Sequence, residues 1–117
     1  VGLTGYCLGG IVAALGAIRI ADFDASVCFY GLPSPELANP RDLKVPFQGH
    51  FARKDEWCTP EAVDAFEKGL AGVKLPHEIH RYDAQHGFMN EERPHFDPAA
   101  AKLAWERSLA FWRMYLG

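Results

Sequence analysis

The sequence has no run of lysine or arginine, and its net charge is −3 over 117 residues. Nothing in it is arranged to hold a polyanion, so neither nucleic acid nor an anionic membrane surface is an expected partner. No apolar run approaches the roughly 18 residues of a membrane-spanning helix. No charged leader precedes an apolar core, so no secretory signal is expected. Cysteine is scarce. Cys7, Cys28 and Cys58 stand at scattered spacings that suggest neither a disulfide framework nor a zinc site. These absences predict a cytoplasmic setting with reduced thiols. What remains is ordinary for a globular protein, with 49% hydrophobic and 23% charged residues. The length allows at most one domain, residues 1–117. There is no initiator methionine, and the chain opens inside an apolar stretch, so a piece of a longer chain is expected.

Taken in order, residues 1–5 read as the tail of a buried strand. Residues 9–20 are apolar nearly all round, with small residues among them, which suits a helix buried against a sheet. Residues 25–31 form a short continuous apolar strand, the pattern of a parallel sheet covered on both faces. Pro33, Pro35, Asn39 and Pro40 make 32–43 an irregular loop. Residues 44–51 read as the next strand, with Pro46 near its start. Thr59-Pro60-Glu61 opens a helix with an N-cap, a proline at the first position and an acid in the first turn. Val63, Phe66 and Leu70 are its apolar side, and it ends near Gly69 or Gly72. Residues 76–82 form another strand. After a loop at 83–96, Asp97-Pro98 caps a helix running to about Leu116, with Leu103, Leu109, Phe111, Trp112 and Tyr115 as its expected buried side. The order strand–helix–strand–strand–helix–strand–helix implies an α/β protein with a mainly parallel sheet.

One stretch organises the rest: Gly5-Tyr6-Cys7-Leu8-Gly9-Gly10, between the first strand and the first helix. Strand, tight turn with a nucleophile at its tip, then helix is the layout of a nucleophile elbow, here with cysteine in place of serine. Cβ atoms at Gly5 or Gly9 are expected to crowd such a turn. The helix starting after Cys7 aims its free N–H groups at the sulfur, which is expected to favour thiolate. The plainer reading is a glycine-containing loop beside a buried cysteine.

Partners further along the chain bear on the choice. In parallel sheets, reactive groups gather at the carboxyl ends of strands. Three such ends carry ionisable candidates: Cys7, Asp55 and His86. Nucleophile, acid and base in that order is the α/β-hydrolase order. The chemistry uses all three: Cys7 attacks, His86 takes and returns its proton, and Asp55 fixes the imidazole tautomer. Leu8 offers its backbone N–H to the oxyanion. Asp83 also precedes His86 in a loop and is a rival for the acid.

At this point the sequence resembles the dienelactone hydrolase family. The matching pieces are Gly5 to Gly10, Tyr30-Gly31, Gly49 to Asp55, His86-Gly87-Phe88, and the tail Arg93 to Ala100. The resemblance covers essentially the whole chain, but only the C-terminal half of a family member. It implies an α/β-hydrolase fold, partial here with about four strands. It also implies a cysteine-dependent hydrolase of lactones or esters that needs no metal or organic cofactor, with Cys7 as nucleophile, Asp55 as acid and His86 as base. The dienelactone hydrolase proper carries an arginine four residues after the catalytic histidine, where it holds a substrate carboxylate. Here that position is Asn90, with Arg93 three residues on.

Other residues have plainer expected roles. Cys28 reads as core packing and Cys58 as structural. His50, His77, His80 and His95 read as surface or hydrogen-bonded histidines, and no acid or cysteine cluster makes a zinc set with them. Trp105, Trp112 and Tyr115 read as core aromatics, and Trp57 as a candidate pocket wall. Three classes of function stay open: a cysteine hydrolase of esters or lactones, a non-catalytic scaffold, and an acyl-transfer or redox cysteine protein. A redox role would want a resolving cysteine near Cys7, and none is near in sequence. With four strands and one oxyanion donor, the chain alone is expected to be a weak or inactive hydrolase. It is expected either to be unstable or to pair an open sheet edge with a second copy or with an N-terminal half.

Overall fold

The computed structural model describes residues 1–116. Four strands form one sheet in the order β1-β2-β3-β4, every neighbouring pair parallel. They are β1 (Gly2–Tyr6), β2 (Ala25–Phe29), β3 (Phe47–Ala52) and β4 (His77–Tyr82). The helices are α1 (Leu8–Arg19), α2 (Pro60–Leu70) and α3 (Pro98–Tyr115). The α/β layout and parallel pairing match the order read from the sequence. A single 3₁₀ turn, Pro40–Asp42, interrupts the irregular connection between β2 and β3.

The burial of each strand follows its place in the sheet. β2 and β3 are central and buried at every residue, while β1 and β4, at the two ends of the order, are only partly covered. A core on one face joins α1 and α2 to the sheet through Ala13, Ala17, Cys28, Phe47, Val63, Phe66 and Leu70. A second core on the other face joins α3 through Val27, Phe29, Tyr82, Phe88, Ala104 and Phe111. Cys28 is fully buried, as expected of a core cysteine, and its Sγ donates to the Gly31 carbonyl at 2.8 Å.

The caps act as their residues require. Thr59 accepts from the Ala62 amide at 3.3 Å, and Asp97 from the Ala100 amide at 3.0 Å, each with proline at the first helical position. β3 begins later than the sequence pattern suggests. Pro46 has no N–H to give a ladder, and pairing starts at Phe47, whose amide donates to the Pro76 carbonyl at 3.0 Å.

The buried side of α3 also differs from expectation. Ala104, Ser108 and Phe111 face the sheet, while Leu103 is 41% exposed and Leu109, Trp112 and Tyr115 are half-buried. Small residues let the helix approach, and Ser108 reaches a buried polar network that an apolar pattern cannot reveal. At its centre is His50, wholly buried on β3. Gln48 Nε2 donates to Glu78 and to the Arg107 carbonyl, so Gln48 Oε1 accepts from His50 Nε2 at 2.7 Å. His50 Nδ1 is then an acceptor, and takes the Tyr82 hydroxyl proton at 2.8 Å. Arg107 donates to the same phenol oxygen at 3.2 Å. Among the described residues no buried side-chain polar atom lacks a partner.

Candidate active site

Cys7 lies between β1 and α1 in a backbone conformation that side chains rarely adopt, with φ 57° and ψ −118°. Its amide donates to the Phe29 carbonyl at 3.1 Å, and its own carbonyl accepts from Gly10 and Ile11 as the helix begins. The elbow closes tightly. A Cβ on Gly5 would sit 2.0 Å from the Gly9 carbonyl oxygen, and one on Gly10 would sit 2.4 Å from that of Phe29. The expectation for Gly9 does not hold, because a Cβ there meets nothing within 4 Å. Gly9 supplies its carbonyl to the crowded contact, and its own Cα faces open space.

Asp55 is buried just after β3. Its Oδ1 accepts from the amides of Trp57 at 2.7 Å and Cys58 at 2.9 Å. That leaves Oδ2 for His86 Nδ1, 2.6 Å away. A carboxylate accepts, so Nδ1 carries the proton and Nε2 is free to take one. The rival acid is elsewhere: Asp83 is exposed and pairs with Lys54 at 3.4 Å. Trp57 and Cys58 thus serve the site through their backbones. The Trp57 side chain is 83% exposed and does not line the cavity. Cys58 packs in the core beneath, where burial and then the Asp55 charge push its thiol up to about 12. His77, His80 and His95 are all hydrogen-bonded, as expected; His95 Nδ1 meets the His86 carbonyl at 3.2 Å.

A cavity of about 1090 Å³ opens at this end of the sheet, with Cys7 and His86 in its wall beside Tyr6, Tyr30, Asn90 and Arg93. Trp105 of α3 lines it too, at 50% exposure, and is not the core aromatic the sequence pattern suggested. It sits about 100° round α3 from Ala104, on the flank of the core line Ala104–Ser108–Phe111, and reaches the cavity from there. The Cys7 thiol is not poised as a resting thiolate. Burial pushes its pKa up first, the Asp55 carboxylate adds to that, and Arg93 pulls it back down. Burial and the Asp55 charge thus oppose the pull toward thiolate expected from the N-terminus of α1. Among the described residues, no group of three or more His, Cys, Asp or Glu is placed to hold a metal ion. No described helix is long and apolar enough to cross a membrane.

The model of the dienelactone hydrolase family matches residues 1–116. The chain belongs to that family. Among its curated relatives, Protein usf of Aquifex pyrophilus is 37% identical over 120 residues, covering 99% of this chain and 52% of its own length. An Aquifex aeolicus relative, whose name proposes a carboxymethylenebutenolidase, is 36% identical with the same coverage. A solved structure from Klebsiella pneumoniae, whose name proposes a dienelactone hydrolase, superposes with a TM-score of 0.85 at 27% identity. It covers 97% of this chain and 52% of its own. The chain thus spans about half the length of the family members it matches, and its four-stranded parallel sheet is the corresponding part of their α/β-hydrolase fold.

Proposed function

We propose that this dienelactone hydrolase family chain carries the catalytic groups of a hydrolase acting on carboxylic esters or lactones, with Cys7, His86 and Asp55 as its triad. The observation that carries the reading is the 2.6 Å contact between His86 and a buried Asp55 whose other oxygen is already occupied by two amides. This arrangement leaves Nε2 as the only basic atom of the imidazole, and His86 shares the cavity wall with Cys7. Family membership supports the same chemistry, and one relative, 30% identical, bears the name of a probable lactonase of 2-oxo-3-(5-oxofuran-2-ylidene)propanoate.

In this reading His86 Nε2 takes the Cys7 proton as sulfur bonds to the substrate carbonyl carbon, and Asp55 stabilises the imidazolium. The amide of Leu8, first in α1 and so without an intrahelical acceptor, stabilises the oxyanion. The imidazolium returns its proton to the departing alkoxide, leaving a thioester on Cys7. Water then attacks with His86 as base, and thiol and acid are regenerated. The raised thiol pKa fits this scheme, because proton transfer to His86 accompanies attack and no free thiolate need persist.

Hydrolysis of a p-nitrophenyl ester and of a simple γ-lactone, before and after iodoacetamide, tests the reading. Ester and lactone turnover that is weak in the chain alone and abolished by alkylation is the expected result. Turnover that survives complete Cys7 labelling would exclude a cysteine nucleophile.

A further inference from the structure

Tyr30 stands where β2 ends, and its backbone is strained. Its φ is 38°, in the left-handed region that a residue with a side chain rarely adopts. Cys7 and Tyr30 are the two described non-glycine residues with positive φ. They are coupled, since the Cys7 amide donates to the carbonyl of Phe29, and the Tyr30 amide donates to the His50 carbonyl on β3 at 2.8 Å. Directly after Tyr30, a Cβ on Gly31 would sit 2.1 Å from the Cys7 carbonyl oxygen. The turn out of β2 is therefore wedged under the elbow.

The ring of Tyr30 is buried, and it touches the segments that carry both reactive groups. It meets the His86 imidazole edge-on, with centroids 5.0 Å apart and planes at 62°. It meets Phe88 in the same manner at 5.2 Å. On the other side it is 6.4 Å from Tyr6, the neighbour of Cys7. Burial, with the Cys7 charge adding to it, raises the phenol far above its ordinary pKa. Tyr30 is therefore neutral at working pH. Strain kept at a buried aromatic beside a nucleophile needs a return in position.

We propose that Tyr30 is a positioning residue: its ring, held by the strained turn after β2, fixes the place of the His86 imidazole relative to Cys7. Asp55 sets the tautomer of His86 through one nitrogen, and Tyr30 sets the ring's orientation about that contact. The proposal rests on the reading of His86 as the base, but its test does not depend on turnover.

In proton NMR of the chain, the His86 Nδ1–H shared with Asp55 is expected as a far-downfield signal. Nuclear Overhauser contacts are expected between the Tyr30 and His86 ring protons. Tyr30→Phe, which keeps the ring, should retain the downfield signal and the Cys7 alkylation rate. Tyr30→Leu, with its sheet intact by circular dichroism, should broaden or lose the signal. Its Cys7 alkylation at neutral pH should slow about ten- to a hundredfold, the scale expected of a misplaced catalytic group. An unchanged signal and rate in Tyr30→Leu would overturn the proposal. So would the absence of ring contacts in the unmodified chain, or loss of the signal in Tyr30→Phe; both can be read even if Tyr30→Leu does not fold. A failed ester assay with these signals intact would count against the hydrolase reading alone.

Discussion

Asp55→Asn isolates the part of the site that depends most on geometry. The amide is nearly isosteric, and its oxygen can keep the two hydrogen bonds from Trp57 and Cys58 at 2.7 and 2.9 Å. Those donors force the choice of face, because the NH₂ group cannot accept from them. The NH₂ must then point at His86 Nδ1, 2.6 Å from the present Oδ2. Two donors cannot meet there, so Nδ1 gives up its proton and becomes the acceptor. The proton moves to Nε2, the nitrogen that has to receive the thiol proton. Nothing in the fold has changed, yet the base is blocked. In a serine triad the same exchange lowers kcat by about 10⁴. A second effect opposes this, since the Asp55 charge raises the Cys7 thiol pKa and its removal eases ionisation. That effect is the smaller one, because the largest cause of the raised pKa is burial, which the substitution leaves in place. The expected outcome is a loss of about 10³–10⁴ in the rate of p-nitrophenolate release on acylation, with an unchanged far-ultraviolet spectrum. Acylation within tenfold of the unmodified chain would refute the tautomer argument.

Four further outcomes follow from the structure. Brief iodoacetamide treatment at neutral pH should label exposed Cys7 well before Cys28, which is fully buried with its thiol pushed far up; peptide mass spectrometry reads this, and equal labelling in the folded chain would count against an accessible nucleophile. Burial, with the His80 and Arg107 charges, lowers the pKa of His50 from 6.5 to about 3, so the unfolded chain binds the extra proton between those values. Stability in urea should therefore be full above about pH 6.5 and fall as pH drops toward 3, by at most about 5 kcal/mol from this residue; flat stability across that window would contradict the buried network. Gly5→Ala forces a Cβ against the Gly9 carbonyl and should cost roughly 1–3 kcal/mol in thermal or urea unfolding. Gly9→Ala, with open space and a helical position, should be neutral or stabilising by up to about 1 kcal/mol.

The elements whose residues state their own physics were legible in the sequence. Thr59-Pro60 and Asp97-Pro98 cap the helices they announce, and the continuous apolar run of β2 is a central strand. Chain order and strand ends picked out Cys7, Asp55 and His86 as candidates; the structure brings Asp55 and His86 into contact and puts Cys7 and His86 in one cavity wall. What stayed hidden depends on contacts between distant segments. Apolar residues alone gave only part of the buried side of α3: Phe111 is buried and Trp112 and Tyr115 pack against the core, but Ala104 and Ser108 were missed, the latter meeting His50 fifty-eight residues away. Trp105 was assigned to the core for the same reason, and only the placement of α3 beside the 87–98 segment turns it to the cavity. The helix N-terminus beside Cys7 is local in sequence, whereas the burial and the Asp55 charge that oppose it are not. Tyr30 was visible as part of a Tyr-Gly pair, but neither its strain nor its contact with His86 has a sequence signature.

The reading of the site stands or falls on whether Cys7 becomes acylated with the help of His86. The direct measurement is rapid quenching of the chain with p-nitrophenyl acetate, followed by peptide mass spectrometry of the adducts. The expected result is an acetyl group on the Cys7 peptide within the first turnover, its decay on standing, and its near absence in His86→Ala. An unmodified Cys7 peptide while p-nitrophenolate is released, or equal acetylation of Cys7 in His86→Ala, would contradict a Cys7–His86–Asp55 triad.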